Sequence, residues 1–348
     1  MPKKKENSTA RKKDHLKICL TEDVSFKHKT NGFDRYEFDH FAITEVKIDK
    51  IDFTTLFFGK KISYPFLISC MTGGTHGAIN INKQLAIAAA ELNIPIGVGS
   101  QRQALENKDY LESFQVIRKK AANVPVIGNI GAAQLVSTSE PQILVQKLAD
   151  MIQADAFVIH LNPLQELFQE SGETDFSGLL KAIEKICRSV SIPVIVKEVG
   201  SGISARAAKQ LMICGVKGID VAGSGGTSWS AVEMIRHKKH DNSFWDWGLP
   251  TSYCIKEIYR LKKDFQFTLI ASGGINTGID VAKSLALGAD MAASARIILK
   301  EVVENGSEGV VNLVNNWFDD VKKAMYLTGS QDLDTFSKSK LIKKEELF

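Results

Sequence analysis

The chain lacks most features that identify a protein at first sight. Its five cysteines, Cys19, Cys70, Cys187, Cys214 and Cys254, are scattered through 348 residues with no Cys-x-x-Cys pair. That spacing offers neither a zinc knuckle nor a thioredoxin-type dithiol. An odd, dispersed set reads as reduced thiols in a cytoplasmic protein. Eight prolines and 26 glycines are too few for a collagen-like or low-complexity chain. No apolar run reaches ~18 residues, so no membrane span is expected, and nothing apolar follows Met1–Glu6 to form a secretory leader. No Gly-x-Gly-x-x-Gly follows the first apolar run, which argues against an open dinucleotide-binding sheet. Excess charge is nearly absent as well. The net charge is +4, but residues 1–17 hold seven basic and two acidic groups, so the remaining chain is close to neutral. A basic tail is either a solvated leader or a contact with a polyanion. The body has no second basic patch, which argues against nucleic acid as the partner. Residues 1 to about 10, polar throughout, are expected to be disordered.

What is present is a rhythm. Residues 34–62 carry β-formers at irregular spacing and read as short strands or a hairpin before the main fold. From Tyr64 on, eight short apolar runs recur: 65–69, 95–99, 125–129, 156–160, 193–197, 218–222, 267–271 and 290–294. Between them lie stretches with helical apolar spacing, such as 84–92 and 279–287. Strands alternating with helices make a parallel sheet, and continuous apolar runs mean burial on both faces. Eight such units in series predict an α/β fold, a (β/α)8 TIM barrel. It has an N-terminal extension (1–62), the barrel itself (63–330) and a C-terminal tail (331–348). An insertion between strands six and seven, roughly 223–266, holds three of the four tryptophans and is expected to cover one barrel face.

Barrel active sites lie at the C-terminal strand ends. Here those ends carry Ser69-Cys70-Met71-Thr72-Gly73-Gly74, Ser100-Gln101-Arg102, Asn129, His160-Leu161-Asn162, Lys197-Glu198, Gly225-Gly226-Thr227, Ser272-Gly273-Gly274 and Ala292-Ala293-Ser294. The glycines of strands six to eight suit an anion. They let backbone amides approach it, and a following helix N-terminus adds its dipole. Lys197 at the end of an apolar strand suits an anionic cofactor or Schiff-base chemistry, or else a plain ion pair with a carboxylate. His160 and Asn162 lie two residues apart on one strand face, and Pro163 then turns Gln165 and Glu166 beside them. A lone carboxylate among amides suits Mg²⁺, which keeps waters and shares ligands with a substrate diphosphate.

Together with Arg11-Lys12-Lys13-Asp14-His15, Asp246-Trp247-Gly248-Leu249-Pro250-Thr251 and Ser272-Gly273-Gly274-Ile275, these segments run in order from residue 11 to about 296. The set resembles the type 2, flavin-dependent isopentenyl-diphosphate isomerases. The resemblance implies interconversion of isopentenyl and dimethylallyl diphosphate with reduced FMN, NADPH as flavin reductant and Mg²⁺. It implies FMN contacts from Ser69, Met71, Thr72, Ser100, Asn129, Lys197, Thr227, Gly273, Gly274, Ala292 and Ala293. Substrate contacts would come from Arg11, Lys12, Ser100, Gln101, Arg102, Asn162 and Gln165, with Glu166 on the metal. Gln165, His160 and Lys197 are the candidate catalytic residues, His160 also helping to hold the diphosphate. A homo-oligomer is expected. Ser224, Asn276 and Ala293 depart from the family's usual residues near the FMN phosphate.

A 2-hydroxyacid oxidase would need a late histidine base and an arginine clamp. The only late histidines, His237 and His240, fall in a charged helix-like stretch. An inosine-monophosphate-dehydrogenase-like enzyme would need a cysteine in the loop after strand six, and none is there.

Overall fold

The computed structural model describes residues 8–238, 243–337 and 341–347. Lys3, Lys4, Lys5 and His240 lie outside the described residues. Twelve strands are found in chain order: β1 (Tyr36–Phe38), β2 (Thr55–Phe57), β3 (Lys60–Ile62), β4 (Phe66–Ile68), β5 (Ile96–Gly97), β6 (Val126–Gly131), β7 (Ala156–His160), β8 (Val194–Lys197), β9 (Gly218–Asp220), β10 (Thr268–Ala271), β11 (Met291–Ser294) and β12 (Leu341–Lys343). Strands β4 to β11 close into a parallel barrel, β11 pairing with β4. Seven barrel strands fall within their apolar runs, and β6 runs two residues past its own, to Gly131. The runs do not alternate with polar residues because both strand faces are buried. Leu67, Ile127, Val158, Ile195 and Ile270 pack inside the barrel, while Phe66, Ile68, Phe157, Ile159 and Val196 face the surrounding helices.

The N-terminal end of the barrel is stoppered. Strands β2 and β3 form a hairpin whose turn, Phe58-Gly59, has φ of 46° and 84°. Positive φ at both turn residues matches the right-handed twist of a two-residue hairpin. The hairpin delivers Phe57 and Ile62, both buried, into the inner core. The extension also pairs with the far end of the chain, β1 running antiparallel to β12. Lys283, buried on helix Gly278–Ala286, donates to Phe33 O and Tyr36 O and pins the segment leading into β1.

The other end is covered by helix Ser8–Thr21. Residues 8–10, expected to be disordered, are its first turn. Arg296 holds the helix at its C-terminal end, donating to Cys19 O (3.0 Å), Glu22 O (2.8 Å) and Ser25 Oγ (3.1 Å). The insertion after β9 holds the segment that follows. Trp245 Nε1 donates to Ser25 O, and the Asp246 carboxylate accepts from the amides of Lys27 and His28.

Candidate active site

A cavity of about 410 Å³ opens at the C-terminal ends of the barrel strands, roofed by helix Ser8–Thr21. One side is backbone. Gly225, Gly226, Gly273 and Gly274 line it, and their loops press back to back. A Cβ on Gly226 would lie 2.5 Å from Gly274 N, and one on Gly273 would lie 2.1 Å from Gly223 O. Only glycine fits either position. The amides of Gly273, Gly274 and Ile275 donate to no acceptor among the described residues. Successive free amides lining one wall make a cradle that suits an anion. Helix Gly278–Ala286 does not line the cavity, while the helix after β11, Arg296–Leu327, brings its first residues, Arg296 and Ile297, to it. The Asp280 carboxylate takes the amides of Asn276 and Thr277 in a capping box.

The opposite side is cationic. Arg11, Lys12 and Arg102 line it. Lys12 Nζ donates to Gly73 O and Ser100 O, both at 2.8 Å. Removal from water and the neighbouring Arg11 lower its pKa to about 7. Arg102 reaches Glu106 (2.9 Å) and Glu173 (3.2 Å).

Between the two sides lie mostly neutral groups. Asn162 Nδ2 donates to Gln165 Oε1 (3.1 Å) and Glu166 Oε1 (3.0 Å). Its own Oδ1 is buried without a partner, as is Gln103 Oε1. Burial, with Lys197 and Lys12 adding to it, lowers the pKa of His160 to about 3, so this histidine is neutral. Asn129 Nδ2 donates to Val98 O, which turns Asn129 Oδ1 toward His160. His160 Nδ1 is therefore the donor in their 2.9 Å contact, and Nε2 keeps its lone pair. Lys197 is buried and donates to Glu198 O at 2.6 Å. Burial raises the pKa values of the neighbouring Asp220 and Glu198 carboxyls.

The structure brings most of the candidate residues to this cavity: Ser69, Met71, Thr72, Asn129, Thr227 and the residues above all line it. Three do not. Gln101 lies fully buried behind the wall, Nε2 donating to Leu148 O and Oε1 accepting from Asn129 N. Its neighbours Ser100 and Arg102 face the cavity, and Gln101 faces the opposite way. Ala292 and Ala293 are buried in the wall itself, one packed in the outer core and one in the inner core. Along β11 the chain first reaches the cavity at Ser294, and Ala295, Arg296 and Ile297 continue the lining.

Sequence reading missed Glu233. It lies on helix Trp229–Arg236, wholly buried, with Oε1 2.9 Å from His15 Nε2 and accepting from Gln165 Nε2 at 3.2 Å. It thereby joins the covering helix to Gln165. The available signal was a carboxylate four residues after Trp229, on the same face of a helix. Glu173 was missed too. It holds Arg102 and Gln134 through its carboxylate, and its amide donates to Glu166 Oε2. The rival histidine His237 does not line the cavity. It lies 3.7 Å from Glu233 and from Glu170.

The pattern of the FMN-dependent dehydrogenase family matches residues 4–343. Among solved structures, a lactate oxidase from Pediococcus acidilactici superposes with a TM-score of 0.68 at 16% identity, covering 94% of this chain and 86% of its own. A flavocytochrome b2 gives 0.70 at 18%, with 94% and 82% covered. At such identity these show the shared barrel and nothing more. The isopentenyl-diphosphate delta-isomerase of Pelodictyon phaeoclathratiforme is 44% identical over 97% of this chain and 98% of its own. That of Chlorobium phaeobacteroides is 45% identical over 96% and 95%, and that of a Nostoc species 42% over 95% and 94%. Fold, cradle and family pattern define the class, an FMN-dependent α/β-barrel enzyme. Within that class the chain belongs to the family of isopentenyl-diphosphate delta-isomerases, in its FMN-dependent, type 2 form.

Proposed function

We propose that the protein interconverts isopentenyl and dimethylallyl diphosphate by a 1,3-allylic proton shift. The observation that carries this reading is the cavity's polarity: an amide cradle on one side, a cationic rim on the other, and mostly neutral groups between. The cradle suits the FMN phosphate. Arg11, Lys12 and Arg102 suit a second anion, the substrate diphosphate, through charge-assisted hydrogen bonds. The hydrocarbon would then lie among Asn162, Gln165 and neutral His160. None of these is a strong acid or base, so bound reduced FMN would supply the proton donor and acceptor.

The chain's own residues bind and orient. Lys197 places a buried cation where the flavin ring would lie and favours its anionic reduced form. Gln165, held by Glu233, fixes the position of the amide facing the substrate. Among the described residues no cluster of three His, Cys, Asp or Glu side chains is present. Mg²⁺ would therefore rest on Glu166, with water and diphosphate oxygens completing its shell. Glu166→Gln should reduce activity and alter its Mg²⁺ dependence while leaving the flavin spectrum unchanged. NADPH serves as reductant of the flavin, and the assembly is a homo-oligomer in the cytoplasm. No helix among the described residues is long and apolar enough to cross a membrane.

The test is stoichiometry. Purified protein with FMN, Mg²⁺ and a catalytic amount of reductant should convert many equivalents of isopentenyl diphosphate. One NADPH consumed per product, or turnover only of 2-hydroxy acids, would reject the isomerase reading in favour of an oxidoreductase.

A further inference from the structure

The cradle's amides are free because two residues outside it hold the matching carbonyls. Thr251 Oγ1, wholly buried, donates to Gly273 O (2.6 Å) and Ser272 O (3.1 Å). Asn31 Nδ2 donates to Gly274 O (2.7 Å) and to Asp280 Oδ1 (3.1 Å). In a trans peptide the C=O and the following N–H point in opposite directions. Holding Gly273 O therefore sets the direction of the Gly274 amide, and holding Gly274 O sets that of Ile275. Both residues line the cavity, and neither amide has an acceptor among the described residues. The φ values of Gly273 and Gly274 are 99° and 72°, a region glycine enters freely, so no side chain of their own fixes one orientation.

The two braces are linked to each other. Asn31 O accepts from Ser252 N, beside Thr251, and Asn31 Oδ1 accepts from Phe33 N. The Asn31 backbone fills the space a side chain at Gly225 would need, its N lying 2.1 Å from that Cβ position. A residue of the N-terminal extension, 243 positions from Gly274, thus touches both glycine loops from behind.

We propose that Asn31 and Thr251 are positioning residues that aim the Gly274 and Ile275 amides at the phosphate of FMN. This rests on the FMN reading and extends it to residues that touch neither flavin nor substrate. The ring and ribityl chain of the flavin gain nothing from these two braces; the phosphate does.

Riboflavin, which lacks the phosphate, is the control. The full-length chain, freed of flavin by dialysis, is titrated with FMN and with riboflavin, following quenching of flavin fluorescence. Asn31→Ala and the isosteric Thr251→Val should each weaken FMN by about 5–20-fold, the range for one lost hydrogen bond per amide set. Riboflavin should change by less than about 2-fold. Thr251→Ser keeps the hydroxyl and should restore FMN affinity. Equal weakening of both flavins, or an unchanged FMN Kd in both variants, overturns the proposal. Wild-type protein that does not prefer FMN to riboflavin would instead reject the FMN reading on which it rests.

Discussion

The two ends of the barrel are closed by the same extension in opposite ways. At the N-terminal end, the β2–β3 hairpin inserts Phe57 and Ile62, both buried in the inner core. At the C-terminal end, helix Ser8–Thr21 presents Arg11, Lys12 and His15 to a cavity. One closure is a stopper whose contacts are apolar and permanent. The other is a roof that turns Arg11 and Lys12 to the cavity, with His15 held by Glu233. Stability therefore belongs to the first and ligand capture to the second, and substitutions should separate them.

The largest effect is expected at the roof. Arg11→Ala with Lys12→Ala removes two charge-assisted contacts, each about 1.5–3 kcal/mol. The pair should lower kcat/KM by roughly 10²–10⁴-fold, with flavin content and Tm close to wild type. The stopper should behave in reverse. Phe57→Ala leaves a cavity in the inner core and should cost about 3–5 kcal/mol of stability, read from urea unfolding, while kcat at 25 °C per folded molecule changes little.

A smaller effect follows from pH. Only protonated Lys12 attracts a diphosphate, and its pKa is lowered to about 7 by burial and Arg11. In the free enzyme the cation is lost as pH rises through that value. The kcat/KM profile should fall above pH 7, approaching tenfold per unit, and Lys12→Arg should move that limb to higher pH. A profile flat to pH 9 would remove Lys12 from capture. The smallest effect should come from deleting residues 1–7, which precede the roof helix; kcat/KM should stay within about 2-fold, as for surface changes away from a site.

The barrel was legible because its strands are buried on both faces, so each appears as an unbroken apolar run that a turn or polar end interrupts. The site was legible at strand ends for the same reason, since His160 or Lys197 following such a run is out of place. What failed was direction. Gln101, at the start of helix Arg102–Glu106, turns behind the wall between two cavity residues, and of the two alanines before Ser294, Ala292 faces the outer core while Ala293 lies in the inner core. A contiguous motif does not say which of its members look inward. Glu233 and Asn31 were illegible for another reason. Their partners lie far away in sequence, at His15 and Gln165 for one and at Gly274 and Asp280 for the other. Only the closed barrel brings them together.

Arg296 fixes the roof helix through Cys19 O, 277 residues earlier in the chain, and β11, just before it, is the strand that closes the barrel onto β4. On a ribosome the roof helix is thus made long before the residue that seats it. At about 5–20 residues per second, helix Ser8–Thr21 waits roughly 14–55 s for its anchor to be translated. A nascent or truncated chain that stops before β11 has neither a closed barrel nor a seated roof. In the proposed reading such a fragment cannot sequester diphosphates in competition with the folded enzyme, because capture waits for Arg296 to seat the roof.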